Sequence, residues 1–125
     1  YESVLEEEVA EFLRSRGVLV ETQVNQSLFH IDLAVRNGPG GPFVLGIECD
    51  GARWHSSLSA RAYDAWREDI LTRAGWRIHR VWSTEWWHNR TTTESALLEA
   101  VRRALGGGPL PGEGRVRITS STDSA

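Results

Sequence analysis

Phe29-His-Ile-Asp-Leu-Ala-Val35 and Phe43-Val-Leu-Gly-Ile-Glu-Cys-Asp50, joined through Asn37-Gly-Pro-Gly-Gly-Pro42, decide the fold of this chain. Both runs alternate apolar with other residues at period two, the spacing of a half-buried strand. The joining segment is dense in turn chemistry, so the second run is expected to fold back on the first as an antiparallel partner with a slightly long loop. Alternation in the second strand puts Phe43, Leu45, Ile47 and Cys49 on one face and Val44, Gly46, Glu48 and Asp50 on the other. Asp32 stands in the opposite arm of the hairpin, so three acids meet across neighbouring strands.

Working outward, Leu5, Val9, Phe12 and Leu13 have helical spacing and predict an amphipathic helix over 4–16, stopped at Gly17. Val18-Leu-Val20 to Val24 reads as a short strand. Beyond the hairpin a loop from Gly51 to Ser57 leads to a helix over 58–74, with apolar positions Leu58, Ala62, Trp66, Ile70 and Ala74, ended by Gly75. Trp76 to Trp82 is a fourth strand, and a strand–helix–strand connection of this length implies a parallel, right-handed crossover. Thr91-Thr-Thr-Glu94 resembles a capping box ahead of a last helix striped by Leu97, Leu98, Val101, Ala104 and Leu105. The expected fold is α/β: a mixed four-stranded sheet flanked by helices, in the order α-β-β-β-α-β-α, as one domain over 1–105. Residues 106–125, rich in Gly, Pro, Ser and Thr, read as a flexible tail or linker.

With 125 residues, 40% apolar, and six tryptophans the chain can bury one core but not two. The single cysteine excludes an internal disulfide and there is no membrane-length apolar run, so a reducing cytoplasm is expected and a membrane partner is not. A formal charge of −3 argues against a domain that wraps nucleic acid by bulk electrostatics, because phosphate neutralisation needs clustered cations. All fourteen basic residues are arginine, so any role that calls for lysine must fall to another group. A start at Tyr1 suggests a piece of a longer polypeptide, whose other modules would supply missing affinity.

Residues two apart on a strand are separated by ~6–7 Å and paired strands by ~4.8 Å, so the carboxylates of Asp32, Glu48 and Asp50 can converge on one ion. Three hard oxygen donors favour Mg²⁺ or Mn²⁺, ions that keep several waters and bind substrate phosphate, which suits phosphodiester hydrolysis. At this point the chain resembles the PD-(D/E)XK, or restriction-endonuclease-like, superfamily, over roughly residues 4–105. The segment Glu48-Cys-Asp-Gly-Ala-Arg-Trp-His55 is similar to the branch related to very short patch repair endonucleases. Ile31-Asp-Leu-Ala-Val35, Gly46-Ile-Glu-Cys-Asp-Gly51, His55-Ser-Ser57 and Gly75-Trp to Trp82-Ser-Thr84 together resemble endonuclease-like domains near the C-terminus of superfamily 1 helicase-related proteins.

Carried over by that resemblance, Asp32 and Glu48 match the two motif acids that hold the metal. Asp50 stands where the usual motif has lysine, so lysine-type water activation is not carried over with it. In the very short patch branch this position and a downstream histidine serve the chemistry, which here means Asp50 and His55. His55 would act as acid or base. Glu6 resembles the family's helical acid, and Arg67 and Asp64 are candidates for positioning phosphate or the histidine. The resemblance implies a metal-dependent DNA endonuclease fused to helicase or other DNA-processing domains, working in DNA repair or phage defence. Two rivals use the same residues differently: a non-catalytic nucleic-acid-binding or docking module, which the missing lysine and the negative charge favour, and a metal-dependent RNA-cleaving toxin.

Each singled-out residue also has a plainer reading. The three acids could be a solvated strand face, His55 a capping or core histidine, and Glu6-Glu-Glu8 a helix start that suits the dipole. Trp54, Trp86 and Trp87 could stack on bases, but core or interface packing is expected of them. His30, His79 and His88 lack ligand-like spacing to one another and read as structural or surface residues. Cys49 reads as a small core residue. Arg61, Arg67, Arg77 and Arg80 could touch phosphates or pair with local acids.

Overall fold

The computed structural model describes residues 2–26, 29–50, 58–107 and 110, and within helices and strands a few side chains, those of Asp50, Arg61 and Asp64 among them, lie outside the description. Helix α1 spans Glu2–Ser15, strands β1, β2 and β3 span Leu19–Gln26, Phe29–Arg36 and Phe43–Asp50, and α2 spans Leu58–Arg73. Strand β4 (Ile78–Trp82) is followed by a short helix α3 (Ser83–His88) and by α4 (Arg90–Ala104). The four strands form one sheet in the order β1-β2-β3-β4, with β1, β2 and β3 antiparallel and β4 parallel to β3. The mixed sheet and the element order are those the sequence predicts, with the short helix α3 added between β4 and the last helix.

The sheet is covered on both faces, which is why β3 can be apolar nearly throughout. One face carries Val20, Leu33, Val35, Leu45, Ile47, Cys49 and Val81, buried against Leu5, Val9 and Leu13 of α1, Trp86 of α3, and Leu97 and Val101 of α4. Leu110 is fully buried in the same cluster, so the packed unit includes that residue. The other face is covered by α2, where Ile31 and Leu71 are buried with Val24, Ile70, Trp76 and Ile78 around them. Gly46 lies on this second face, and a Cβ there would sit 3.0 Å from Ile78 Cδ1 and 3.3 Å from both Ile31 and Trp76. The glycine lets those apolar side chains close over the sheet.

Three details depart from simple periodicity. Arg36 pairs with Phe43 and Val35 with Leu45, so Val44 is an extra residue, a β-bulge. The bulge flips the strand start: Val44 packs on the main core, while Phe43 stacks on Trp76 at 5.8 Å, on the side opposite Leu45. The expected apolar stripe of α2 is only partly inward: Ile70 packs on the sheet, but Ala62 and Trp66, and Ala74 just past the helix, are exposed, and the buried positions among the described residues of the helix are Arg67 and Leu71. Finally, α4 begins at Arg90 after Asn89, which makes no side-chain cap, so Thr91 and Glu94 lie inside the helix rather than forming a capping box. The cause is α3, which ends on Asn89 N–H donating to Glu85 O, while the Thr93 hydroxyl bonds the carbonyls of Glu85 and Asn89. Trp86, fully buried under the Arg90 guanidinium at 3.9 Å, pins that junction.

Candidate active site

A twist in the hairpin sets the site. Val20 and Val24 have the same parity on β1, as do Ile31 and Leu33 on β2, yet in each pair one packs on the α1 face and the other on the α2 face. The exchange falls at Gln23 and Asp32, which stand opposite each other but are missing from an otherwise unbroken run of pairs, and Gln23 has φ +55°. Asp32 therefore sits where β2 changes face. It also sits where β2 leaves β3, because their ladder ends at Leu33 and Ile47. The N–H of Cys49 donates to Asp32 Oδ2 at 2.9 Å, so the carboxylate itself bridges the parted strands.

Glu48 is buried on the α2 side of β3, with 8% of its surface exposed. Its Oε1 accepts from Arg67 Nη2 at 3.0 Å, while its Oε2 is buried with no hydrogen-bond partner among the described residues. Burial first, and then the negative charge of Asp32, push its carboxyl up to about 7, against the opposing pull of Arg67. Arg67 is as buried as its partner and donates also to the carbonyl of His30, tying α2 to both strands of the site. Arg80, the register partner of Glu48 on β4, pairs with Glu68 of α2 at 3.1 Å. A buried carboxylate with one oxygen unpartnered is costly unless a cation completes it.

Of the residues singled out in the sequence, Asp32 and Glu48 are brought together. Asp50 closes β3, its backbone paired with Trp82, while its side chain and all of His55 and Trp54 lie outside the described residues. Glu6 lies on α1 and accepts from Gln23 Nε2 at 2.5 Å, on a cleft lined also by Arg14 and Thr22 but not by Asp32 or Glu48. Among the described residues no three His, Cys, Asp or Glu side chains form a group able to hold a metal ion. Arg67 stands against Glu48; the side chain of Asp64 is outside the description. Trp86 is a core residue as expected, whereas Trp87 is 47% exposed. Cys49 is buried in the core. His79 is half-buried, and burial lowers its pKa.

His30 is the residue sequence reasoning set aside. Its Nε2 lies 3.8 Å from Asp32 Oδ1 and its Nδ1 3.2 Å from Asn25 Oδ1. The available signal was its position two before Asp32 on one strand; spacing to the other histidines was the wrong test.

Comparison with known proteins agrees with this architecture. A solved homing endonuclease catalytic domain, that of I-Bth0305I, superposes with a TM-score of 0.56 at 18% identity, over 74% of this chain and 88% of that one. It defines the class of fold, an endonuclease-like α/β domain. The restriction-endonuclease-like family model REase_MTES_1575 matches residues 5–101, and the chain belongs to that family. No curated protein matches it. No helix among the described residues is long and apolar enough to cross a membrane.

Proposed function

We propose that this chain is a DNA endonuclease domain that depends on a divalent cation, Mg²⁺ or Mn²⁺, held by Asp32 and Glu48 with Asp50 as a further ligand. The observation that carries the reading is the buried Glu48 carboxylate, one oxygen paired to Arg67 and the other unpartnered, beside Asp32. Hard oxygen donors confined in a low-dielectric pocket fit such an ion. When bound, the cation would neutralise charge developing on a phosphate oxygen. The chain's own part is orientation: the Cys49 N–H fixes Asp32 through Oδ2, and Arg67 fixes Glu48 through Oε1. His55 is retained as acid or base, and Glu6 as a helical acid, on the resemblance alone. The similarity to very short patch repair endonucleases and to helicase-associated domains supports a place in DNA repair or phage defence, within a larger protein whose other modules contribute to DNA binding.

The test is incubation with plasmid, mismatched duplex, single-stranded DNA and RNA in Mg²⁺ or Mn²⁺. Cleavage or nicking of DNA that Asp32→Ala abolishes is expected. Cleavage of RNA alone would replace the substrate. Binding without cleavage, or equal cleavage by Asp32→Ala, would make the domain a docking module, the reading that an arginine already seated on Glu48 favours.

A further inference from the structure

We propose that His30 is a catalytic residue that orients the attacking water; the inference rests on the nuclease reading above. Asn25 and His30 are register partners on β1 and β2, and the ring Nδ1 lies 3.2 Å from Asn25 Oδ1. An amide oxygen only accepts, so Nδ1 must carry the hydrogen, and in the neutral imidazole Nε2 is then left with its lone pair. That lone pair is 3.8 Å from Asp32 Oδ1, an acceptor as well. Two acceptors at this spacing do not bond each other, but one water can donate a hydrogen to each. Such a water keeps its oxygen lone pairs turned away from both groups, toward a phosphate approaching from outside.

Exposure and anchoring suit the role. The imidazole is 45% exposed, on the solvent side of Asp32 at 18%, so substrate can reach the water. The backbone of His30 is fixed by its ladder pairing and by Arg67 donating to its carbonyl, the same arginine that holds Glu48. Arg67 thus ties the backbone of His30 to Glu48, while the His30 ring stands beside Asp32. With Asp50 in place of the motif lysine, a neutral acceptor beside the metal-side acids takes over placement of the nucleophile. The role is hydrogen bonding, with the ring in one tautomer.

The experiment has two arms. In the first, wild type, His30→Ala, His30→Gln and Asn25→Leu are compared for kcat, KM and Mn²⁺ affinity. His30→Ala should lower kcat by about 10²-fold, the scale of a misplaced reacting group, with KM and Mn²⁺ affinity unchanged. His30→Gln, which keeps a side-chain acceptor, should recover at least tenfold of that loss by the same positional logic, about a tenth to all of wild-type rate. Asn25→Leu should fall between. In the second arm, ¹⁵N NMR of the imidazole without metal or substrate, at mildly alkaline pH, should show the Nδ1–H tautomer in wild type and its loss in Asn25→Leu. Wild-type cleavage with His30→Ala equally fast, a drop in Mn²⁺ affinity in His30→Ala, or an Nε2–H tautomer in wild type would each overturn the role of His30 alone. A wild-type chain that cuts nothing would overturn the nuclease reading and this role together.

Discussion

At the scale of single residues, Glu48 concentrates the chemistry. Its carboxyl is pushed up to about 7 from 4.5, so the folded chain holds more protons than the unfolded chain between those values. The sign follows: this group makes the fold less stable as pH rises from about 4.5 to about 7, by up to about 3 kcal/mol. A cation bound to the charged form removes that penalty. Urea denaturation in EDTA should show stability falling across the window, and saturating Mg²⁺ should flatten the fall; His79, whose lowered pKa makes the fold less stable as pH drops below 6.5, affects both curves alike. Parallel curves with and without Mg²⁺ would contradict this. Arg67→Ala, which leaves the buried carboxylate without its partner, should cost about 3–5 kcal/mol at neutral pH in EDTA, and Mn²⁺ should restore part of it in the same denaturation assay.

At the scale of elements, α2 keeps Ile70 of its apparent apolar stripe on the sheet side but turns Trp66 outward. Trp66 is 52% exposed and Leu71 3% exposed. Trp66→Gln should therefore change stability by less than about 0.5 kcal/mol, whereas Leu71→Ala should cost about 2–5 kcal/mol, both read from urea midpoints. The strands were legible because period-two alternation and a Gly-Pro turn act locally, and the same alternation placed Glu48 on the side away from Ile47 and Cys49. What escaped was non-local. The α2 stripe was misjudged because an arginine is buried there only on account of a carboxylate nineteen residues earlier in another element. The Val44 bulge depends on β2 register, and α3 is too short for any period, its Trp86-Trp87-His88 offering no apolar stripe. The hairpin twist at Gln23 and Asp32, which brings Asp32 between the parted strands, leaves no mark in composition because Gln23 is an ordinary residue in a left-handed conformation. Asp32 and Glu48 could thus be named from sequence, but not their bonds to Cys49 N–H and Arg67, nor the place of His30.

At the scale of the whole molecule, charge and site pull apart. A chain of −3 has few cations to spare for phosphates, and Arg36, Arg67, Arg80 and Arg90 are each engaged with an acid. Isolated, the domain should bind duplex DNA weakly, with log K falling against log salt at a slope of magnitude about 2–3, against about 6–10 for proteins that grip many phosphates. Fluorescence anisotropy over a salt series reads that slope directly. The central claim is narrower, that Asp32 and Glu48 form one cation site. Isothermal titration of the apo chain with Mn²⁺ tests it most directly: a saturable binding event in wild type, lost in both Asp32→Asn and Glu48→Gln while each variant stays folded, is the expected result, and no binding in wild type, or unchanged binding in both variants, would contradict it.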